Sequence, residues 1–203
     1  TAAISPLIGT EEGGNVIKMG ADGTPTEAID EIAEEIVIEC FRRDCPCKDL
    51  ISEEIGHIDM GGSTGTIYLD PVDGTHNAVT GNPFYALSVA YAESGVTKKA
   101  YVRDLAHGET FYAELGKGAY RDGKRVNVSA TNLLEKSTIS VYCKKFDPET
   151  ILKIGTKIRR WRLYGASALE LCYVGCGRLD GFIDLRNTLR VTDAAAGILF
   201  CTE

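Results

Sequence analysis

Two aspartates three positions apart, Asp70 and Asp73, close an apolar run in YLDPVDGTHNAV (68–79), with Pro71 between them and Gly74-Thr75 directly after. Carboxylates placed that close repel each other and raise a pKa unless a cation lies between them. Oxygen donors alone favour a hard divalent ion, Mg²⁺, Mn²⁺ or Ca²⁺, over zinc. Two further acids fit the same picture: Glu53, followed by Glu54, at the end of DLISEE, and Asp193 at the start of DAAAGILF. Taken alone, Asp193 reads equally as a helix cap and Glu53 as a solvated surface charge. The residues after Asp73 point to the partner. Gly74-Thr75 leads into HNAV, where a helix N-terminus with free backbone N–H groups binds phosphate beside the metals. Two ions about 4 Å apart hold the attacking and leaving oxygens of an in-line displacement, which is a hydrolase site.

The elements that must carry these groups show in the hydrophobic pattern. Strand TIYLD should end at Asp70, because Pro71 cannot donate to a sheet ladder and Gly74 permits a tight turn. DGTPTEAIDEIAEEIVIECFRR (22–43) reads as a helix capped by Thr24, with Pro25 first, Glu27 completing a capping box and Arg42-Arg43 at the negative end. Its buried face would be Ile29, Ile32, Ala33, Ile36, Val37, Cys40 and Phe41. The preceding Gly-rich stretch, EEGGNVIKMGADG (11–23), reads as a mobile loop. Beyond the helix the period shifts toward two: DLIS, FYALSVAYAE, KAYVRDL and ETFYAEL read as strands, and YRDGKRV carries an Asp-Gly hairpin turn. From about 137 strand and helix alternate: STISVYC, PETILKIGTKI, WRLY, SALELCYVGCG, LDGFIDL, DAAAGILF. The expected architecture is layered α+β, with an antiparallel first sheet and a mixed α/β second half.

Composition narrows the class. The 203 residues carry a net charge of −7, with 44% apolar and 25% charged residues, an ordinary globular balance. Such acidity disfavours nucleic acid or a membrane surface as partner. No run reaches the length of a membrane span, and no signal-peptide pattern opens the chain. Seven cysteines form an odd set without zinc-type pairing, so reduced thiols in a cytoplasmic protein are expected. The one close pair, Cys45-Pro46-Cys47, has the wrong spacing for a standard metal site.

Two rivals stand beside the metal hydrolase. Aspartyl phosphatases of the haloacid dehalogenase class use Asp-x-Asp, whereas the spacing here is Asp-x-x-Asp, so a phospho-aspartate is disfavoured. A structural Ca²⁺ module would explain the acids but not Thr75 beside Glu53. The chain resembles the inositol monophosphatase superfamily at this point: LISEE, LDPVDGTHN and VTDAAAG match its three acidic signatures in order, and the resemblance covers nearly all 203 residues. MGADGTPT with AIDEIAEE, and FIDLRNTLRVTD, are most similar to the archaeal enzymes acting on both inositol monophosphate and fructose 1,6-bisphosphate.

That resemblance implies an αβαβα sandwich of the sugar phosphatase type and a Mg²⁺-dependent phosphomonoester hydrolase, with Mn²⁺ as substitute and two or three ions. Glu53, Asp70 and the Val72 carbonyl would bind one ion, and Asp70, Asp73 and Asp193 the second. Glu53 and Thr75 would activate a metal-held water for direct attack on phosphorus, with Gly74 and Thr75 backbone N–H groups receiving the phosphate. Asp22, in the Gly-rich loop, would help hold a third ion, with Asp30, on the exposed side of the first helix, the next candidate. Gly165, Ala166, Ser167 and Asp184 would meet the sugar, and Arg162 and Arg186 would pair with a second phosphate or form surface salt bridges. The substrate would be inositol 1-phosphate, fructose 1,6-bisphosphate or, alternatively, 3′-phosphoadenosine 5′-phosphate. A homodimer is implied.

Departures from the pattern are equally specific. The usual Trp before the last aspartate is Thr192, expected to cap the helix, and His76 is expected to face solvent. His57 and His107 fall in loop-like segments without evident partners. Residues 1–203 read as one phosphatase unit, incomplete at both ends, with an α+β lobe over 1–132 bearing the metal motifs and a partial α/β lobe over 133–203. The DAAAGILF helix would then be poorly covered.

Overall fold

The computed structural model describes residues 1–21, 23–44, 47–143 and 148–203, Thr150 by its backbone alone. A sheet of eight strands forms the centre. In chain order these are β3 (Cys47–Ser52), β4 (Gly56–Asp59), β5 (Thr64–Asp73), β6 (Ala86–Glu93), β7 (Val96–Asp104), β8 (Thr110–Glu114), β9 (Gly118–Arg121) and β10 (Lys124–Arg125), arranged β10-β9-β8-β7-β6-β5-β3-β4. Neighbours run antiparallel except β3 with β5. The Asp-Gly turn before β10 has both residues at positive φ, Asp122 at 48° and Gly123 at 74°, the twist a two-residue hairpin needs. The smaller sheet is wholly parallel, with β11 (Thr138–Tyr142) between β12 (Arg160–Arg162) and β13 (Gly181–Asp184).

Alternation along β6 assigns the faces of the large sheet. Ala86 and Ala90, with Ala100, Val102 and Phe111 of the next strands, pack on Leu169 and Cys172 of α4 (Ser167–Gly175) and on Ala196, Leu199 and Phe200 of α5 (Val191–Thr202). On the other face, Leu87, Val89 and Tyr91 meet Ile38 of α1 (Ala28–Asp44), with α2 (Thr75–Thr80) on the same side. Beyond α4 lies the parallel sheet, whose Ile139 and Val141 pack outward with Ile151 and Ile154 of α3 (Pro148–Gly155). The stacking is therefore α, β, α, β, α, as expected.

Several local expectations are overturned. The Gly-rich stretch is not a loop throughout: β1 (Val16–Met19) pairs antiparallel with β2 (Pro25–Glu27). Consequently α1 starts at Ala28, and Thr24, Pro25 and Glu27 do not form the expected cap. Asp30 plays that part in reverse, its carboxylate accepting the Glu27 N–H at 3.4 Å. The buried face of α1 is rotated as well, since Ile29, Ala33 and Ile38 are buried while Ile32, Ile36 and Cys40 are exposed. Asp30 and Glu34 are buried instead, because that side of the helix faces the acidic site rather than solvent. Helix α5 is well covered, with Thr192 to Gly197, Leu199 and Phe200 buried and Ile198 exposed. His57 lies in β4, 2.7 Å from Asp49, and His107 lies 3.0 Å from Asp104, so both have partners. Cys47 is buried, whereas Cys45 and Pro46 lie outside the described residues.

Candidate active site

Strand β5 does not stop at Asp70. It continues to Asp73, and Pro71 is accommodated by a bulge: Asp70 pairs with Ser88 but Asp73 with Ala86. In a regular strand, residues three apart point to opposite faces. One extra residue shifts the phase, so both aspartates share the face that carries Ser88 and Ala86. The bulge holds itself together through the Val72 N–H, which donates to Asp70 Oδ1 at 3.1 Å. Both carboxylates are buried.

Glu53, in the turn after β3, and Asp193, in the first turn of α5, reach the same place. Glu53, Asp70 and Asp193 each offer a carboxylate oxygen within 4.8 Å of the others. Burial, then the surrounding acids, pushes Asp70 well above the usual carboxylate range. Burial likewise pushes Glu53 up to about 7, against the pull of Arg190 and with the push of Asp193 and Glu54. Buried oxygens in conflict of this kind suit a hard divalent cation, and the donor set fits one. Asp73 stands differently. Its Oδ1 accepts the Ser167 N–H at 2.9 Å and its Oδ2 those of Ala168 at 2.7 Å and Leu169 at 3.4 Å, so it also caps α4. Burial and Asp193 raise its carboxyl more than these donors lower it.

Gly74 is the N-cap of α2 at φ 92°, and a Cβ there would lie 3.0 Å from Ala166 Cβ and 3.1 Å from two carbonyl oxygens. Only glycine allows that approach. Thr75, the next residue, places its hydroxyl 2.9 Å from Asp30 Oδ1 and 3.0 Å from the Val72 carbonyl, with one hydrogen to share between them. Asp30 is therefore buried against the site, not exposed, and burial with Glu54 pushes it up to about 8.

The model of the inositol monophosphatase family matches residues 4–203. The chain belongs to the inositol monophosphatase family. It is 39% identical to a fructose-1,6-bisphosphatase/inositol-1-monophosphatase of Methanothermobacter thermautotrophicus, over 99% of this chain and 76% of that protein. It is also 39% identical to a bifunctional NADP phosphatase/NAD kinase of Methanococcus maripaludis, of which it spans 39%. The structure of an inositol monophosphatase-fructose 1,6-bisphosphatase superposes with a TM-score of 0.88 at 32% identity, covering 98% of this chain and 76% of that one. An extragenic suppressor protein from Bartonella henselae gives 0.84 at 30% identity, covering 95% and 76%. This chain is a phosphatase, and the reading as a structural Ca²⁺ module falls away. No helix among the described residues is long and apolar enough to cross a membrane.

The other expected residues of this inositol monophosphatase family chain group less uniformly. Ala166 is the N-cap of α4 and Ser167 its first residue; both are buried, while Gly165 is exposed. Asp184 and Arg186 pair with each other, Nη2 to Oδ2 at 2.5 Å, and the guanidinium stacks 4.1 Å over the Tyr142 ring. Arg162 donates to the Trp161 carbonyl at 2.9 Å. His76 is exposed, as expected, and Asp22 lies outside the described residues. Thr192 does not cap α5: Arg190 is the N-cap and Asp193 the residue three on, whose carboxylate receives the Arg190 N–H at 3.2 Å.

Three residues went unassigned in the sequence reading. Asn77, inside the quoted motif, donates to the Phe84 and Tyr164 carbonyls at 2.8 and 2.6 Å, tying α2 to the loop before α4. Glu170, fully buried, accepts from Tyr142 at 2.7 Å, from the backbone N–H groups of Tyr164 and Gly165 at 3.0 Å each, and from Ser140. Arg190 pairs with Glu53 and with Asp193, the latter at 3.0 Å. A lone acid in an apolar helix, as at Glu170, and an arginine three before an aspartate were the available signals.

Proposed function

We propose that this chain hydrolyses phosphomonoesters of small sugars or polyols, inositol 1-phosphate and fructose 1,6-bisphosphate first, in a Mg²⁺-dependent reaction without a covalent enzyme intermediate. One observation carries the reading: Glu53, Asp70 and Asp193, far apart in sequence, meet within 4.8 Å, with Asp70 on the strand that runs on into the Gly74-Thr75 helix start. Glu53, Asp70 and the Val72 carbonyl would hold one cation, and Asp70, Asp73 and Asp193 a second; Mn²⁺ could replace Mg²⁺. Bound there, the cations would supply Lewis acidity at the phosphoryl and leaving oxygens and lower the pKa of water.

The chain's own groups do the rest. With the Val72 carbonyl engaged, the Thr75 hydroxyl would give its hydrogen to Asp30 Oδ1, leaving its own oxygen free to accept from the attacking water. Asp30, 2.9 Å from that hydroxyl, would then receive the proton passed on from the water through Thr75. The Gly74 and Thr75 backbone N–H groups would take the phosphate oxygens, while Gly165, Ala166, Ser167 and Asp184 would border the sugar. Arg162 and Arg186 would meet a second phosphate, Arg186 after release from Asp184. Residues 1–132 and 133–203 would act as one unit, the first part carrying Glu53, Asp70 and Asp73 and the second supplying Asp193 to the same metal site.

Phosphate release from inositol 1-phosphate and fructose 1,6-bisphosphate, with Mg²⁺ and with chelator, tests the proposal. NADP belongs in the same panel, given the similarity to a protein named for NADP phosphatase, and 3′-phosphoadenosine 5′-phosphate tests the nucleotidase alternative. Absence of metal-dependent release from every phosphomonoester offered would overturn it.

A further inference from the structure

We infer that Arg190 is the resident counter-cation of the acidic pocket and competes with the divalent ion for Glu53 and Asp193, so that loading the site drives its guanidinium off them. The inference rests on the metal site proposed above. The occupancy of Asp193 carries it. Oδ1 of Asp193 accepts from Arg190 Nε at 3.1 Å, from Nη2 at 3.0 Å and from the Thr192 hydroxyl at 3.3 Å. Oδ2 accepts from Nε at 3.2 Å and from the Arg190 backbone N–H at 3.2 Å. With Nη1 on Glu53, one guanidinium grips two of the three clustered carboxylates. A carboxylate so engaged, with one Nε–H shared between its two oxygens, must give up part of the guanidinium's grip before it can ligate a new cation at full strength.

Charge and space point the same way. A fixed positive charge among prospective ligands repels a divalent ion directly, and neutralises part of what attracts it. The Arg190 side chain is 35% exposed and borders a groove of about 490 Å³ lined also by Thr97, Leu189 and Val191. The guanidinium therefore has an open side into which it can swing while its backbone stays as the α5 N-cap. In the metal-free protein it does opposite work, holding the turn after β3 to the start of α5 against like-charge repulsion.

The two roles have opposite signs, and that separates them from a merely structural arginine. In Arg190→Gln, the chelator-treated protein should melt lower than wild type, yet Mn²⁺, followed by the EPR signal of the free ion, should bind about tenfold tighter. Arg190→Lys keeps the charge without the fork, so its Mn²⁺ affinity should rise only severalfold, and it serves alone if Arg190→Gln fails to fold. Unchanged or weaker Mn²⁺ binding in the variant that folds overturns the counter-cation role while leaving the metal site standing. No Mn²⁺ binding by wild type would remove the metal site itself, and this inference with it.

Discussion

Glu170 gives the most quantitative test of how the loop before α4 is held. Replacing it by Ala removes the acceptor of four donors: the Ser140 and Tyr142 hydroxyls and the N–H groups of Tyr164 and Gly165. Not all four are stranded. The Ser140 hydroxyl can turn to the Arg162 carbonyl, 3.4 Å away, and Gly165 is exposed to water. The buried Tyr142 hydroxyl and the half-buried Tyr164 N–H lose their acceptor, at about 1–3 kcal/mol each, partly offset by no longer burying an acid. Glu170→Ala should thus cost about 3 kcal/mol, or about 6–12 °C of Tm for a chain this size. Glu170→Gln behaves differently. Burial already raises the Glu170 carboxyl, and an amide is close in shape to the protonated acid. Its oxygen can keep Tyr142, Tyr164 and Gly165, while its NH₂ faces a Ser140 hydroxyl able to accept as well as donate. That change should cost under about 1 kcal/mol. Urea unfolding followed by circular dichroism reads both numbers. The reasoning fails if Glu170→Ala costs less than about 1 kcal/mol, or if Gln is as damaging as Ala.

Three further outcomes are expected. Glu53 is raised from 4.5 to about 7, so between those values the folded state holds a proton that the unfolded state has released. Stability of the metal-free protein should fall as pH rises through that window, by about 1.4 kcal/mol per unit, and Mg²⁺ at pH 8 should restore it; melting curves showing metal-free stability climbing from pH 5 to 7 would contradict this. Thr75→Val, which deletes the hydroxyl between Asp30 and Val72, should lower phosphate release about 10²–10⁴-fold, and Thr75→Ser should retain most of it; equal rates for the two variants would exclude the relay. Asp73→Asn should abolish turnover and also destabilise by about 1–3 kcal/mol, since one amide oxygen cannot serve both sets of α4 N–H groups; a variant as stable as wild type in urea would deny the capping role.

The legible parts of the fold were those where one local rule dominates. The Asp-Gly hairpin before β10 and the strand-helix alternation after residue 137 needed only turn chemistry and periodicity. The N-terminal region failed because tertiary pairing outvoted propensity: Pro25 and Glu27 read as a helix start, but the ladder with β1 claims them. The apolar face of α1 failed for a related reason. Asp30 and Glu34 look like solvent residues until the acidic site is known to lie against them, since a buried acid shows nothing unusual in a one-dimensional pattern.

The sequence by itself determined the chemistry. Oxygen donors, the Asp-Pro-x-Asp spacing and the Gly-Thr that follows point to a hard cation and a phosphate before any neighbour is known, because ligand preference is a property of the atoms. Only tertiary structure decided the geometry: that a bulge turns Asp70 and Asp73 to one face, that Glu53 and Asp193 join them across 140 residues of chain, and that Arg190 lies among them. Those relations depend on register and on side-chain direction across separate elements. A local pattern carries neither.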